Sequence, residues 1–173
     1  MERTLWFERQ FRFDLPPGAF PSVLERLRGT PARLEEKLSG LSVEIRTNRL
    51  ENAWSIQEHA GHLLDLDELH QLRVEDYLAG KEMLSPADLK NRKTTDANHN
   101  ARDVSELLRS FRNARIHFVE SLRKIEDVTR KAIHPRLNQA MRVIDMAVFV
   151  AEHDDHHLAT ISQLKEKLGV QEY

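Results

Sequence analysis

The sequence predicts an all-α fold: a bundle of four main helices, the first of them broken. Three observations lead there. Apolar residues recur at steps of three and four over most of the chain, no stretch of useful length alternates with period two, and the 173 residues include only six Gly and six Pro. That is too few for the many turns of a β-rich fold. The length suits a single domain over residues 1–173 with a substantial core.

Pro16, Pro17, Pro21 and Pro31 fall early and punctuate the first stretch, in which Phe7, Phe11 and Phe13 form an irregular segment that plugs the bundle. A first helix is expected from Pro21 through Leu27, with Val23, Leu24 and Leu27 on one face. Gly29-Thr30-Pro31 reads as a break: Thr30 caps, Pro31 takes the first helical position, and Leu34, Leu38 and Leu41 resume the stripe. Ser42 to Ala53 is a connection without periodicity. The second helix opens at Trp54-Ser55-Ile56-Gln57-Glu58, where Ser55 and Glu58 have the spacing of a capping box. Leu63, Leu66, Leu69, Leu72 and Tyr77 keep its register up to Gly80.

Ser85-Pro86-Ala87-Asp88 opens a short helix or turn, and Asn91 to Asn100 is a long polar loop. The third helix is expected from Val104 to Ile125, on a stripe that includes Leu107, Phe111, Arg115, Phe118 and Leu122. Arg109, Arg112, Arg115 and Arg123 are assigned to its solvated face or edge. Ile133-His134-Pro135 interrupts the chain. The last helix runs from Met141 to Leu168 and stops at Gly169, a length of roughly 40 Å at 1.5 Å per residue.

Composition narrows the function. Hydrophobic residues are 40% and charged residues 31%, which excludes a disordered chain and a membrane-embedded one. Lys plus Arg is 26 and Asp plus Glu is 28, so the net charge of −2 lacks the basic excess of a nucleic-acid binder. No apolar run approaches the ~20 residues of a membrane span, and the charged amino terminus is unlike a signal peptide; a cytoplasmic protein is expected. With no Cys there is no zinc–cysteine site and no thiol nucleophile, so any thiolate must come from a cosubstrate. Nine His stand out.

The stripe of the last helix reads Val143, Ala147, Val150, His153, His157, Ile161, Leu164, Leu168. His153 and His157 are i and i+4, so their rings stack on one face, one turn apart, as half of a divalent-metal site does. Burying each ring without a partner costs roughly 2–7 kcal/mol, which a shared metal removes. The bland alternative is a pair of core histidines bonded to carbonyls or carboxylates. His62 is the best third ligand, because the stripe of the second helix turns polar there; His59 competes on the same side. Glu58 is assigned to the capping box. His156 lies to the side and Asp154 and Asp155 face solvent or adjoining helices. His70 is too deep for the same site, His117 flanks the third helix, His134 is held in a turn, and His99 is a surface residue of the polar loop, with the lesser alternative that it reaches the site as a lid.

Trp54-Ser-Ile-Gln-Glu58-His-Ala-Gly-His62, with His153-Asp-Asp-His-His157-Leu-Ala-Thr-Ile far downstream, resembles the DinB-like superfamily (the DinB/YfiT group) of metal-dependent enzymes. Arg26-Leu-Arg-Gly-Thr30-Pro31-Ala-Arg33-Leu and His134-Pro135-Arg-Leu-Asn resemble its linking segments, so the likeness covers nearly the whole chain. The resemblance implies an antiparallel four-helix bundle and a three-histidine site for a divalent cation such as Ni²⁺, Zn²⁺ or Fe²⁺. It selects His62 over His59 and places the other two ligands at His153 and His157. It also implies a small-molecule substrate, a thiol-dependent S-transferase or a hydrolase, and a homodimer. The competing function is a non-catalytic, stress-associated metal-binding bundle, which a solvent-facing cavity beside an open metal position would argue against.

Overall fold

A computed structural model describes residues 4–170. Six α-helices are present among them: α1 (Phe20–Leu38), α2 (Val43–Thr47), α3 (Ile56–Leu78), α4 (Arg92–Asp96), α5 (Val104–Arg123) and α6 (Val143–Lys167). The four long ones form the bundle. α1 packs on α5 and α6, and α3 packs on the same two, so α1 and α3 lie diagonally opposite.

Two apolar clusters fill the interior. One takes Val23 and Leu27 of α1, Val74 and Tyr77 of α3, Phe118 and Leu122 of α5, and Ile144, Met146, Ala147, Phe149, Val150 and Ala151 of α6. The other takes Leu34 and Leu38, Ile56, Ala60 and Leu63, Leu107 and Phe111, and Leu158, Ile161 and Leu164. The first cluster thus uses the N-terminal halves of α1 and α6 and the C-terminal halves of α3 and α5. α1 and α6 therefore run one way, α3 and α5 the other. Neighbours α3 and α5 are parallel, as are α1 and α6, so the expected antiparallel arrangement holds for only half the adjacent pairs. A parallel α3–α5 pair needs a long return, and the segment between Leu78 and Val104 supplies it.

The fold is not strictly all-α. Strand β1 (Lys131–His134) pairs antiparallel with β2 (Gln139–Arg142), Lys131 opposite Arg142 and His134 opposite Gln139. Four residues are too few to register as alternation, although Ala132 and His134 are buried and Lys131 and Ile133 exposed. Asn138, at φ 47°, closes the turn in the left-handed conformation that Asn tolerates. The hairpin delays the start of the last helix to Val143.

The first helix is not broken. α1 continues through Pro31, which has no N–H to give the carbonyl of Leu27. That carbonyl accepts instead from Nη1 of Arg115 at 3.4 Å. A proline inside the helix is tolerated because a neighbour satisfies the group it strands.

Arg115 also overturns its assignment to a solvated face. It is fully buried, and its guanidinium bridges two carboxylates: Nη2 lies 2.9 Å from Asp67 Oδ1 and 3.0 Å from Asp154 Oδ1, while Nη1 bonds Asp154 Oδ2. Thr30 Oγ1 donates to Asp154 at 2.8 Å. Each long helix thus contributes one polar residue to a belt between the apolar clusters. Of the two alternatives, solvent or adjoining helices, Asp154 takes the second and is buried against α1 and α5, while Asp155 faces Arg33 of α1 at 2.6 Å. At the amino terminus Phe11 and Phe13 pack against the first cluster as plugs, with Trp6 beside them, but Phe7 is exposed.

Candidate metal centre

α3 begins with the expected capping box. The N–H of Ser55 donates to Glu58 Oε2 at 2.9 Å and the N–H of Glu58 to Ser55 Oγ at 3.1 Å. Glu58 also pairs with Arg49, and although burial favours its acid form, these bonds hold its carboxyl below the usual range. It is a structural anion, not a proton carrier. One turn on, His62 enters the groove between α3 and α6.

On α6 the core stripe runs through Val150, Ala151, Asp154, Leu158 and Ile161, and the adjoining stripe Phe149, His153, His157 faces that groove. One ligand atom from each of His62, His153 and His157 lies within 4.8 Å of the other two. Nε2 of His153 and Nε2 of His157 are 3.2 Å apart. Ligands on a tetrahedral cation with bonds of ~2.0–2.1 Å sit about 3.3–3.4 Å from one another, so the α6 pair has the spacing of two ligands of one small divalent metal, with His62 within reach as a third.

The polar segment after α3 orients His62. His62 Nδ1 contacts Thr94 Oγ1 at 3.0 Å, and Thr94 donates its hydroxyl proton to Asp65 Oδ2 at 2.9 Å. A hydroxyl has one proton to give, so Thr94 accepts from Nδ1–H and leaves Nε2 of His62 with a bare lone pair. Asp65 also takes Nε2 of His99 at 2.8 Å. Burial favours its acid form, but the His99 and Thr94 bonds hold it below the usual carboxylate range. His99, expected on the surface, is fully buried, its ring against Gly61, where a Cβ would collide with it. Nothing short of the fold distinguished this histidine from a solvated one.

His59 does not join the triad; its Nδ1 meets Nδ1 of His157 at 2.8 Å and fixes that ring from behind. Such outer partners hold the ligating ring in one orientation. His156 is half-buried and lines the cavity beside the triad, and His117 is exposed on the flank of α5. His70 is outside the triad, yet it lines the same cavity with Nδ1 bonded to Asp67 at 3.1 Å.

Burial dominates the titration of the triad. It pushes His62 down to about 3, with His59 adding repulsion, and pushes His153 and His157 well below the usual imidazole range. All three are neutral donors at neutral pH, as metal binding requires. The unfolded chain binds protons at these rings near pKa 6.5 while the folded chain does not, so their contribution is complete above that pH and is lost on acidification toward about 3. Metal-free protein is therefore expected to unfold at lower temperature at pH 5 than at pH 7, His62 alone costing about 2 kcal/mol. A flat profile in calorimetry between those values would contradict the buried, neutral state.

The triad opens on a cavity of about 340 Å³, walled by Trp6, Trp54, Leu66, Leu69 and Phe149. Trp54 sits 4.8 Å from the His62 ring and Trp6 4.8 Å from the His153 ring, centroid to centroid.

The DinB superfamily model matches residues 14–161. The chain belongs to the DinB superfamily. Among solved structures this DinB chain is similar to YfiT from Bacillus subtilis, a probable metal-dependent hydrolase with an unusual four-helix bundle topology. The TM-score is 0.80 at 19% identity, covering 94% of this chain and 95% of that one. It is also similar to a mycothiol-dependent maleylpyruvate isomerase, at TM-score 0.67 and 13% identity, covering 88% of this chain but 63% of that one. At these identities the likeness is one of fold, and the parallel neighbours described above accord with an unusual topology. No curated protein sequence matches the chain significantly. No helix among the described residues is long and apolar enough to cross a membrane.

Proposed function

We propose that this DinB protein is a metal-dependent hydrolase that holds one divalent cation through His62, His153 and His157 and acts on a small molecule in the adjoining cavity. The observation that carries the reading is the convergence of three neutral imidazoles on the wall of an apolar cavity of about 340 Å³. A cavity of that size suits a small ligand and weighs against a purely structural metal site. A cation held there supplies Lewis acidity, lowering the pKa of a bound nucleophile and polarising the bond it attacks.

The chain's own residues do the rest. Thr94 and His59 hold the rings of His62 and His157 in place. Trp6 and Trp54 set their rings against His153 and His62 and wall the cavity at the triad. Asp67 accepts from Nδ1–H of His70, which leaves Nε2 of His70 to take or return a proton on the cavity side. Burial keeps that ring neutral, below the ordinary histidine range, although Asp67 opposes the shift.

Thiol transfer is the second reading, favoured by the fold shared with a mycothiol-dependent enzyme. Because the chain has no Cys, the thiol would enter as a cosubstrate. Protein purified without an affinity tag, analysed for metal and assayed on ester and amide panels with and without added low-molecular-weight thiol, separates the two. Hydrolysis that needs the metal and no thiol is the expected result. Turnover only with thiol selects transfer, and a stoichiometric metal with neither activity selects the non-catalytic bundle.

A further inference from the structure

The far end of the cavity carries hydrogen-bond donors with no acceptor. Arg73, on the same face of α3 as His62 and Leu66, is 2% exposed and lines the cavity. Its Nε donates to the carbonyl of Ser85 at 3.0 Å, and it forms no ion pair among the described residues. Asp76, one turn on, acts on Arg73 through its charge, but its oxygens are taken by Lys81 at 2.6 Å and by the N–H of Ser85 at 2.6 Å. A buried guanidinium with no ion pair of its own is costly, and native proteins rarely leave one.

Two more donors stand beside it, delivered by the β1–β2 hairpin. His134 is buried, and its Nδ1 accepts the N–H of Leu137 at 3.2 Å. The proton of the neutral ring is therefore on Nε2, and that atom is buried with no partner. Arg136, in the turn, also lines the cavity and packs over Phe7 at 5.0 Å without an ion pair among the described residues. All three side chains line this one cavity; burial lowers His134 to about 4, and the charges of Arg73 and Arg136 push it the same way. Burial also lowers Arg73 to about 10.

We propose that this end of the cavity is an anion subsite, in which Arg73, Arg136 and Nε2–H of His134 bind a carboxylate or phosphate head group of the substrate. Eleven residues separate His62 from Arg73, roughly 16 Å along the helix axis. The substrate class is thus an elongated molecule with an anionic head, an apolar middle against Leu66, Leu69 and Phe149, and its reacting bond at the other end. Only that last placement rests on the metal reading above.

Both tryptophans of the chain line the cavity, so their fluorescence reports its occupancy. Octanoate, octyl phosphate and the neutral isostere octanamide are titrated first into metal-free protein, where no cation can take the head group, and then into loaded protein. Charge-assisted hydrogen bonds predict that at least one anion binds about tenfold or more tighter than the amide in both forms. The tighter of the two anions identifies the head group. Arg73→Gln and Arg136→Gln are each expected to remove most of that preference, weakening the anions far more than octanamide, and Arg73→Lys to keep part of it. Arg136 is half-buried in a turn, so its variant reads the preference even where Arg73→Gln fails to fold. Equal binding of amide and anions by the wild type, or a preference intact in Arg136→Gln and in folded Arg73→Gln, overturns the proposal. Failure of the metal reading looks different: no metal uptake, with the anion preference of the metal-free protein unaltered.

Discussion

Replacing Arg115 by Met is expected to destabilise the protein by about 3–5 kcal/mol, the cost of leaving buried charge uncompensated. In a chain of this size that is a fall in Tm of roughly 6–20 °C. The guanidinium is fully buried and holds Asp67 and Asp154 from opposite sides. Its burial opposes the charge, but the two aspartates more than offset that and raise its pKa. Removing it leaves two facing carboxylates and strands the carbonyl of Leu27 below Pro31. Adding Asp67→Asn and Asp154→Asn to the Met variant should recover part of the loss, because the repulsion goes with the charges. The control lies one turn away on the same helix. Arg112 pairs with Glu35 at 2.5 Å, but both side chains are about two-fifths exposed, at 41% and 38%. Arg112→Ala should cost no more than about 1 kcal/mol. An Arg115→Met protein that melts within a degree or two of the wild type would mean that the belt is dispensable to stability.

The same belt shows where sequence reasoning ran out. Periodicity placed the four long helices and most of their apolar residues, because burial of one face imposes a 3.6-residue repeat on any sequence that packs. It placed Arg115 within the stripe between Phe111 and Phe118, but a charge is by default solvated, and nothing local shows that Asp67 and Asp154 arrive from two other helices. Pro31 misled for a related reason. Proline breaks a helix through the carbonyl it strands, and here the remedy comes from a residue far along the chain.

The pair on α6 was legible because i, i+4 histidines within an apolar stripe are costly without a shared purpose; on α3 the polar turn of the stripe left His62 and His59 both open, and the family resemblance chose His62. The ring partners were not legible. Thr94, Asp65 and His99 reach His62 through a polar segment that has no periodicity to read. Nor was the hairpin, whose four-residue strands fall below any usable repeat. Short as it is, the hairpin carries His134 and Arg136 to the cavity that the helices leave open.

Metal affinity should collapse in His157→Ala, by well over a hundredfold. Loss of an outer-shell partner alone typically costs about 10–100-fold, and His157 would be a direct ligand. It is also the triad residue with most to hold: Nε2 faces His153 at 3.2 Å, while Nδ1 rests on His59 at 2.8 Å. A graded series follows from this geometry. Thr94→Val removes the acceptor for His62 Nδ1–H and frees that ring to choose the other tautomer, so it should fall in the 10–100-fold range. His156→Ala, beside the triad but not in it, and His134→Ala, at the far end of the cavity, should leave metal affinity within a few-fold of the wild type. Competition with a chromophoric chelator, on tag-free protein at pH 7.5, measures all four on one scale. Equal affinities in His157→Ala and His156→Ala would mean that the triad is a cluster of ordinary buried rings, and the hydrolase reading would fall with it. A large loss in His157→Ala and Thr94→Val with none in the other two ties the metal to the pair of helices that the capping box and the polar segment hold in register.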